Sequence, residues 1–466
     1  MSRNNHNKAH IVKKVEATNE TLTSRAGINL FTRYLHAIQI IPLIELLFGR
    51  VRKNSKGASI VELFTQILCW HFDGTCRHLS SFDTLAKDPG YAASIEMDHK
   101  HMVSSHAIKR FFNSIPLRFS SMFRMLLMRL FVWRLNISKP ELIILNIDAM
   151  VMDNNDAPKR EGVEPTYKKV CGFAPLQMTW GRFIIDAIFR SGKKHSNHGN
   201  DTAKMIHRAV KLIRSKYCQD VPIIVRMDSG YCDQKLFAEM ERLQIGYICG
   251  GRFLPDVKSY ISSLPQKAFD RHYGKTEEDI WEYCEFGDHR STWKRFRRAI
   301  FWRPLLEEKR FLLPGARPGT MIYTNLGMGQ AIDEQLKKSG YEYLTKSEEI
   351  ISSYHQRGTD ELVHRCLKDF GFEQLPFKNF APNAAMYYTM LLGFFLFETF
   401  KEDVSNPVVS ISATPTTLRR KLVDIAGKIV RTAKQVKLKV SVAVMEALNF
   451  KELWERCAKA PLLLWT

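Results

Sequence analysis

Three acidic residues decide which chemistry is open to this chain: Asp148, Asp228 and Glu361. Asp148 closes the run Glu141-Leu-Ile-Ile-Leu-Asn-Ile-Asp148, and Asp228 closes Val221-Pro-Ile-Ile-Val-Arg-Met-Asp228. Each acid therefore follows directly on a short, β-branched strand. Taken singly, either is good turn or cap chemistry, and Asp228-Ser229-Gly230 reads that way. Their shared setting says more. In α/β folds ligands gather at the carboxyl ends of strands, and two acids on neighbouring strand ends repel each other unless a divalent cation relieves them. Carboxylate oxygens are hard donors that suit Mg2+ or Mn2+.

The third acid lies in Tyr354-His-Gln-Arg357-Gly-Thr-Asp-Glu361, a stretch that continues to Lys368. On a single α-helix, offsets of 3, 7 and 14 residues from Tyr354 bring Arg357, Glu361 and Lys368 onto a face about 60° wide. A solvated charged face has the same periodicity. This one differs in its mixture: one acid with an aromatic hydroxyl, a guanidinium and an ammonium, the set expected of a metal ligand among phosphate holders. Asp360 points elsewhere on such a helix. Gly358 weakens a helix interior, and a break there would leave only Glu361 and Lys368 in phase.

The elements that must position these residues follow from the patterning. Residues 1–26 read as a mobile polar leader. Residues 27–139 have helical spacing, as in Ile60 to Trp70 with Ser59 as cap and in Ser105 to Phe112 before Pro116. This region serves equally as a helix-turn-helix-like DNA reader or as a bundle supporting the core. From 140 to 253 strands alternate with helices: Arg182–Phe189, Val221–Asp228 and Gly246–Gly250 are strand-like, Thr202–Ser215 and Lys235–Leu243 helical. Residues 254–319 lose the alternation and interleave Trp281, Trp293 and Trp302 with Lys294, Arg295, Arg297 and Arg298, as a β-rich insertion would. Sheet chemistry resumes at Thr320–Leu326 in a second core segment, 320–400, and 401–466 is a basic, helical C-terminal region.

Composition narrows the partners. Sixty-nine Lys and Arg against 48 Asp and Glu leave a net charge of +21, which calls for a polyanion. A membrane surface is the weaker choice: Met122–Val132 carries two arginines, and the apolar run Ala384–Phe397 falls short of a bilayer's hydrocarbon. No secretory h-region is seen in Met1–Arg25. Nine scattered cysteines without a C-x-x-C spacing fit reduced thiols rather than disulfides or a structural zinc. His195 and His198 read as a polar loop rather than a metal site. Arg419, Arg420, Lys421, Lys428, Arg431, Lys434, Lys437 and Lys439 are expected to contact phosphates without reading sequence.

Tyr354, Arg357, Glu361 and Lys368 match the Tyr-x2-Arg-x3-Glu-x6-Lys signature of a large group of bacterial insertion-sequence transposases of the Asp-Asp-Glu class. Asn146-Ile-Asp148 resembles the family's first-aspartate strand, Arg226-Met-Asp228-Ser-Gly-Tyr231 its second, and Thr324-Asn325-Leu326 the strand before its glutamate helix. Thr417–Lys439 resembles the basic C-terminal segment of one branch. One departure is Gly358, where family members often carry tryptophan. The resemblance implies an α/β, ribonuclease H-like core with a β-rich insertion, flanked by an α-helical, DNA-binding N-terminal region and an α-helical C-terminal region. It implies Asp148, Asp228 and Glu361 as catalytic ligands of two Mg2+ (or Mn2+) ions about 3.5–4 Å apart. Tyr354, Arg357 and Lys368 would then hold DNA phosphates. The partners implied are double-stranded DNA, at the element's terminal inverted repeats and at the target, and a second copy in a synaptic homodimer. The setting implied is a bacterial cytoplasm, at the nucleoid. The same residues also fit a metal-dependent DNA nuclease that joins nothing, or a non-catalytic DNA-binding derivative. Which of Trp281, Trp293 and Trp302 would face a displaced base stays open.

Overall fold

The computed structural model describes residues 12, 14–51, 57–194, 197–273, 280–304, 319–433 and 435–463, with 359 and 360 described by backbone alone. Part of the expected leader, His195, part of the expected insertion, Lys434 and the side chain of Asp360 lie outside the described residues.

The strand-like runs assemble into one mixed sheet. In chain order its members are β1 (Ile143–Ala149), β2 (Leu176–Trp180), β3 (Phe183–Ile188), β4 (Ile223–Met227), β5 (Gly246–Gly251), β6 (Asp270–Tyr273), β7 (Ile280–Asp288), β8 (Arg297–Pro304) and β9 (Thr320–Thr324). Across the sheet they stand in the order β6-β7-β8-β9-β5-β4-β1-β2-β3. The pairs β1–β4 and β4–β5 are parallel, and the others antiparallel. Every residue of β4 and β5 is buried, as expected of parallel strands covered on both faces. β2 escapes a reading of the sequence because Leu176-Gln-Met-Thr-Trp180 alternates like a half-exposed strand. Its Gln177 is nevertheless buried, donating to the Tyr387 hydroxyl at 2.8 Å. The stretch expected as an insertion supplies β6, β7 and β8, which extend the same sheet by way of β9.

Around the sheet pack α1 (Ile60–Asp73), α2 (Ser120–Ser138), α3 (Asp201–Lys216), α4 (Gln234–Arg242), α5 (Ser347–Gln356), α6 (Gly358–Phe370) and α7 (Phe380–Phe400), with several shorter helices. The period-2 alternation of the strands sorts side chains into two cores. Ile224, Ile248, Ile300 and Ile322 pack with Ile350 and Ile351 of α5 on one face. Val225, Cys249, Phe301 and Met321 join the larger core on the other. The N-terminal helices merge into that larger core: Phe31 stacks on Phe72 at 3.9 Å, and Phe72 meets Phe400 of α7 edge-on at 5.4 Å. Ser59 caps α1 in a reciprocal box with Glu62.

Three expectations are corrected. First, α7 and the π-helical turn after it, Phe380–Ser405, are long and apolar enough to span a bilayer by length and composition, although the helix is almost wholly buried within the protein. The helix outruns its apolar run because flanking polar residues find partners inside, as Glu398 does in Lys401 at 2.9 Å. Second, the C-terminal region is not purely helical. Gly427–Arg431 and Val436–Val440 form a hairpin, since Lys437-Leu-Lys-Val440 alternates at the strand period and Leu438 lies opposite Ile429. Third, the leader is tied down by Thr21, because Thr21–Thr23 adds to that hairpin as a third strand and Thr23 is buried against Ser94 at 3.0 Å.

Arg419 is also placed differently from its expected phosphate-contacting role. It is buried, and its guanidinium donates to the carbonyls of His71 and Phe72 at the end of α1 and of Asp369 and Phe370 at the end of α6. These are carbonyls that a helix terminus leaves without an intrahelical partner, and a cation there also meets the negative end of each macrodipole. Gly74 follows α1 at φ +61, and a Cβ on it would sit 2.1 Å from the Arg419 Cζ. Burial lowers the Arg419 pKa to about 10, leaving it charged at neutral pH. Arg419→Lys keeps the charge but cannot span four acceptors. Urea unfolding should show a loss of about 2–4 kcal/mol for it, from charged hydrogen bonds given up in a buried place; an unchanged midpoint would count against the clamp.

Candidate active site

Register decides where the two aspartates go. In the parallel pair β1–β4, Asn146 lies opposite Arg226. Two residues further along each strand come Asp148 and Asp228, on the same face as Asn146, Arg226 and Ile224. That is the face covered by α5. Arg226 is buried and fixes the arrangement: its Nε donates to Asn146 Oδ1 at 2.6 Å, and an Nη donates to the Ser353 carbonyl of α5 at 2.7 Å. One guanidinium thus joins β4, β1 and the helix that carries Tyr354.

Gly250 makes the close approach workable. A Cβ on it would stand 2.4 Å from the Tyr354 hydroxyl and 2.8 Å from the Ser229 nitrogen. Only glycine lets β5, the Asp228 turn and α5 meet here. Beyond Asp228 the chain turns sharply, the carboxylate accepting from the Gly230 N–H at 2.8 Å.

The helix bearing the other residues is nearly continuous. α5 ends at Gln356 and α6 begins at Gly358, while Arg357 between them keeps helical angles, φ −59 and ψ −25. Gly358 has no positive φ, and a Cβ on it would meet nothing within 4 Å. The interruption is therefore slight. Arg357 remains on the side of the aspartates, with its guanidinium carbon 5.7 Å from the Tyr354 ring centroid.

The electrostatics tie the group together. Burial raises the pKa of Asp148, and the charge of Glu361 adds to the rise; Arg357, the Ala149 N–H at 2.8 Å and Lys168 oppose it. Burial and then the Asp148 charge raise Asp228, with Arg357 again opposing. Arg357 is thus the cation shared by both acids. Burial also raises the Tyr354 hydroxyl. Glu361 is exposed on the first turns of α6. Lys368 lies two turns further on and donates to Glu373 at 2.8 Å, in a polar cleft lined also by Arg77, His78 and Arg160. The structure therefore gathers Asp148, Asp228, Glu361, Tyr354 and Arg357, and leaves Lys368 at the edge in an ion pair.

Among the described residues no three His, Cys, Asp or Glu side chains stand close enough to hold one ion as they are placed. The donor set nonetheless suits a hard divalent cation: three carboxylates, two of them half-buried and raised by burial together with the charge of Asp148 or Glu361. His198 takes part in an ordinary polar contact with Lys194 at 2.8 Å.

Three neighbours of the site escape a reading of the sequence. His364, one turn past Glu361, brings its Nδ1 to 3.9 Å from Asp148 Oδ2. Its buried Nε2 has no hydrogen-bond partner among the described residues. Extending the helical face of Tyr354 by ten residues reaches it, since that offset falls within about 80° of the same direction. Tyr167 and Lys168 come from the loop after β1, where nothing but an aromatic beside a basic pair marks them. The tryptophans also separate. Trp293 packs against Tyr323 of β9 at 5.0 Å and Phe237 of α4 at 6.1 Å. Trp281 and Trp302 flank His355 of α5, at 5.0 and 4.3 Å.

A half-buried carboxylate whose pKa is raised in the folded state binds its proton more tightly there than in the unfolded chain. Its contribution to stability is then best below the unfolded value, about pH 4, and worsens as pH rises through the folded value. Asp148→Asn and Asp228→Asn should each raise the melting temperature of the metal-free protein at neutral pH, with the gain shrinking toward pH 4. Equal gains at both pH values would contradict the burial argument.

A family model described as "Transposase DDE domain group 1" matches residues 6–462. No curated protein matches the chain. Among solved structures, the cryo-EM structure of the piggyBac transposase synaptic complex with hairpin DNA is similar at 13% identity and a TM-score of 0.42, covering 95% of this chain and 85% of that one.

Proposed function

The chain belongs to the transposase DDE domain family, group 1, and on that premise we propose that it cuts and joins DNA strands at the inverted repeats of a mobile element, with Asp148, Asp228 and Glu361 as its catalytic carboxylates. The observation that carries the reading is electrostatic and geometric at once. The two strand-end aspartates share one face beside Arg357, and the charge of Glu361 is felt at Asp148. The succession β3-β2-β1-β4-β5, three antiparallel strands followed by two parallel additions, supports a ribonuclease H-like core.

Divalent cations, Mg2+ or Mn2+, held by the three carboxylates would supply the positive charge that an in-line displacement at phosphorus needs on its attacking and leaving oxygens. The chain's own groups would do the rest. Arg357 is placed to neutralise the scissile phosphate beside the acids, and Tyr354 to donate a hydrogen bond to a neighbouring one. Lys368 would exchange Glu373 for a phosphate oxygen. No protein nucleophile is required, because water or a 3′-hydroxyl attacks.

DNA would be gripped beyond the site by the C-terminal hairpin. Lys428, Lys437 and Lys439 share one face of it through the pairings Lys428↔Lys439 and Val430↔Lys437, with Arg419 set apart as a structural clamp. Such a face positions the backbone without reading bases. Two copies holding two ends would complete a synaptic complex.

The test uses duplexes built from short inverted repeats bordering the coding region, with Mg2+. Asp148→Ala, Asp228→Ala and Glu361→Ala should each abolish cleavage while DNA binding stays near that of the wild type, and cutting retained in any one removes it from the site. Cutting without joining, when a 3′-hydroxyl end and a target are supplied, would make the protein a nuclease. Binding without any cutting would make it a non-catalytic derivative. Separately, Lys437→Glu with Lys439→Glu should weaken duplex binding for all sequences alike and flatten its dependence on log salt by roughly 0.9 for each phosphate no longer neutralised. An unchanged slope would move the grip elsewhere.

A further inference from the structure

The chain leaves β1 just after Asp148, and before it enters β2 it folds a small three-stranded flap from Met152–Asp153, Glu164–Pro165 and Cys171–Phe173. The tip is a closed turn. The Lys169 N–H donates to the Thr166 carbonyl at 3.0 Å, and the Thr166 N–H and hydroxyl both reach the Val170 carbonyl at 2.9 Å. Lys169 takes the left-handed conformation, φ +62, that closing the turn requires. Tyr167 and Lys168 occupy its two corners.

Tyr167 is an unusual surface residue. It is 63% exposed, yet its hydroxyl is anchored, donating at 3.0 Å to the carbonyl of Ala149, the residue after Asp148. Burial of the hydroxyl, with the charges of Asp148, Asp228 and Glu361, pushes it up to about 12. One end of the ring is therefore fixed beside the strand end that carries Asp148, while the rest is open to solvent. The Lys168 ammonium lies 5.9 Å from the ring centroid, and its charge is felt at Asp148 and at His364. An aromatic ring and a cation are thus held together at the lip of an acidic site, and the chemistry assigned above uses neither.

We propose that Tyr167 stacks on a nucleobase adjoining the phosphate held by the acids, and that Lys168 contacts the next backbone phosphate. The proposal rests on the DNA-processing reading and deepens it. Every base has a π-face, so a stacking platform accepts a strand without dictating its sequence. Pinning the hydroxyl removes much of the ring's freedom before the base arrives, which lowers the ordering cost of binding. A cation at the lip offsets the repulsion that a phosphate backbone meets on entering a carboxylate cluster.

The experiment takes the full chain and a short duplex with a single-stranded thymidine extension, in which one thymine is replaced by 5-iodouracil. After irradiation the adducts are mapped by mass spectrometry. We expect an adduct on Tyr167 that survives in Tyr167→Phe, which keeps the ring. Tyr167→Ala should lose it and bind the extension roughly tenfold more weakly. Lys168→Ala should keep the adduct while the slope of log affinity against log salt falls by about 0.7. Tight binding with adducts only on other peptides, or unchanged affinity in Tyr167→Ala, overturns the proposal and leaves the DNA-processing reading standing. Failure of the wild-type chain to bind the probe and the inverted-repeat duplexes alike overturns both.

Discussion

The site depends first on the buried guanidinium of Arg226. The parallel pairing of β1 and β4 sets Asn146 beside Arg226, and the hydrogen bonds from Arg226 to Asn146 and Ser353 turn that register into a three-way joint. Without the joint, the two strands could still pair through their apolar residues. The helix carrying Tyr354 and leading to Arg357 would then lack its fixed height above the strand ends. Hydrogen bonds to a charged group are worth about 1.5–3 kcal/mol each, and more is lost when a buried partner is left unsatisfied. A joint of this kind specifies one arrangement rather than merely favouring compactness.

A second guanidinium performs the matching task at the other end of α6. Arg419 gathers the last carbonyls of α1 and α6, so a residue from the C-terminal region fixes α6 to the N-terminal helices. Two arginines far apart in sequence thus hold the α5–α6 unit, one through the last turn of α5 and one through the end of α6. Both reach those helices through backbone carbonyls, which require no matching side chain, and Arg226 adds the Asn146 side chain on β1.

That choice of acceptor explains what is legible in the residues alone. Asp148 and Asp228 can be read because each ends a run of β-branched residues, and Glu361 because helical phase joins it to Tyr354, Arg357 and Lys368. The strands β1, β3, β4 and β5 and helices α3 and α4 are legible from periodicity. β2 is not, since its alternation conceals burial on both faces and the partner that satisfies Gln177, Tyr387, lies on a distant helix. Arg419 escapes for a related reason: within a run of cations nothing local marks the one whose acceptors are carbonyls of remote helices. The C-terminal hairpin is hidden among basic residues, and its third strand comes from the opposite end of the chain. Tyr167 and Lys168 lie on a flap whose position follows only from the return of β1 into β2. Pattern carries local geometry and the phase of one element. It does not carry pairings closed across hundreds of residues.

The same restraints say where the site can still adjust. Asp148 lies within a buried strand, and Asp228 is fixed by its turn and by the joint beneath it. The far end of α6 is clamped by Arg419. Glu361 differs: it is exposed, close to the α5–α6 junction, where Gly358 has open space around it. Of the three carboxylates, that of Glu361 is therefore the least restrained, while the far end of its helix is the most firmly held. Arg357 sits at the α5–α6 junction and is the cation shared by Asp148 and Asp228. The residue that offsets the repulsion between the fixed acids is thus also the one that joins the helix of the third acid to α5, so the charge balance of the site and the link between its helices fall on the same residue.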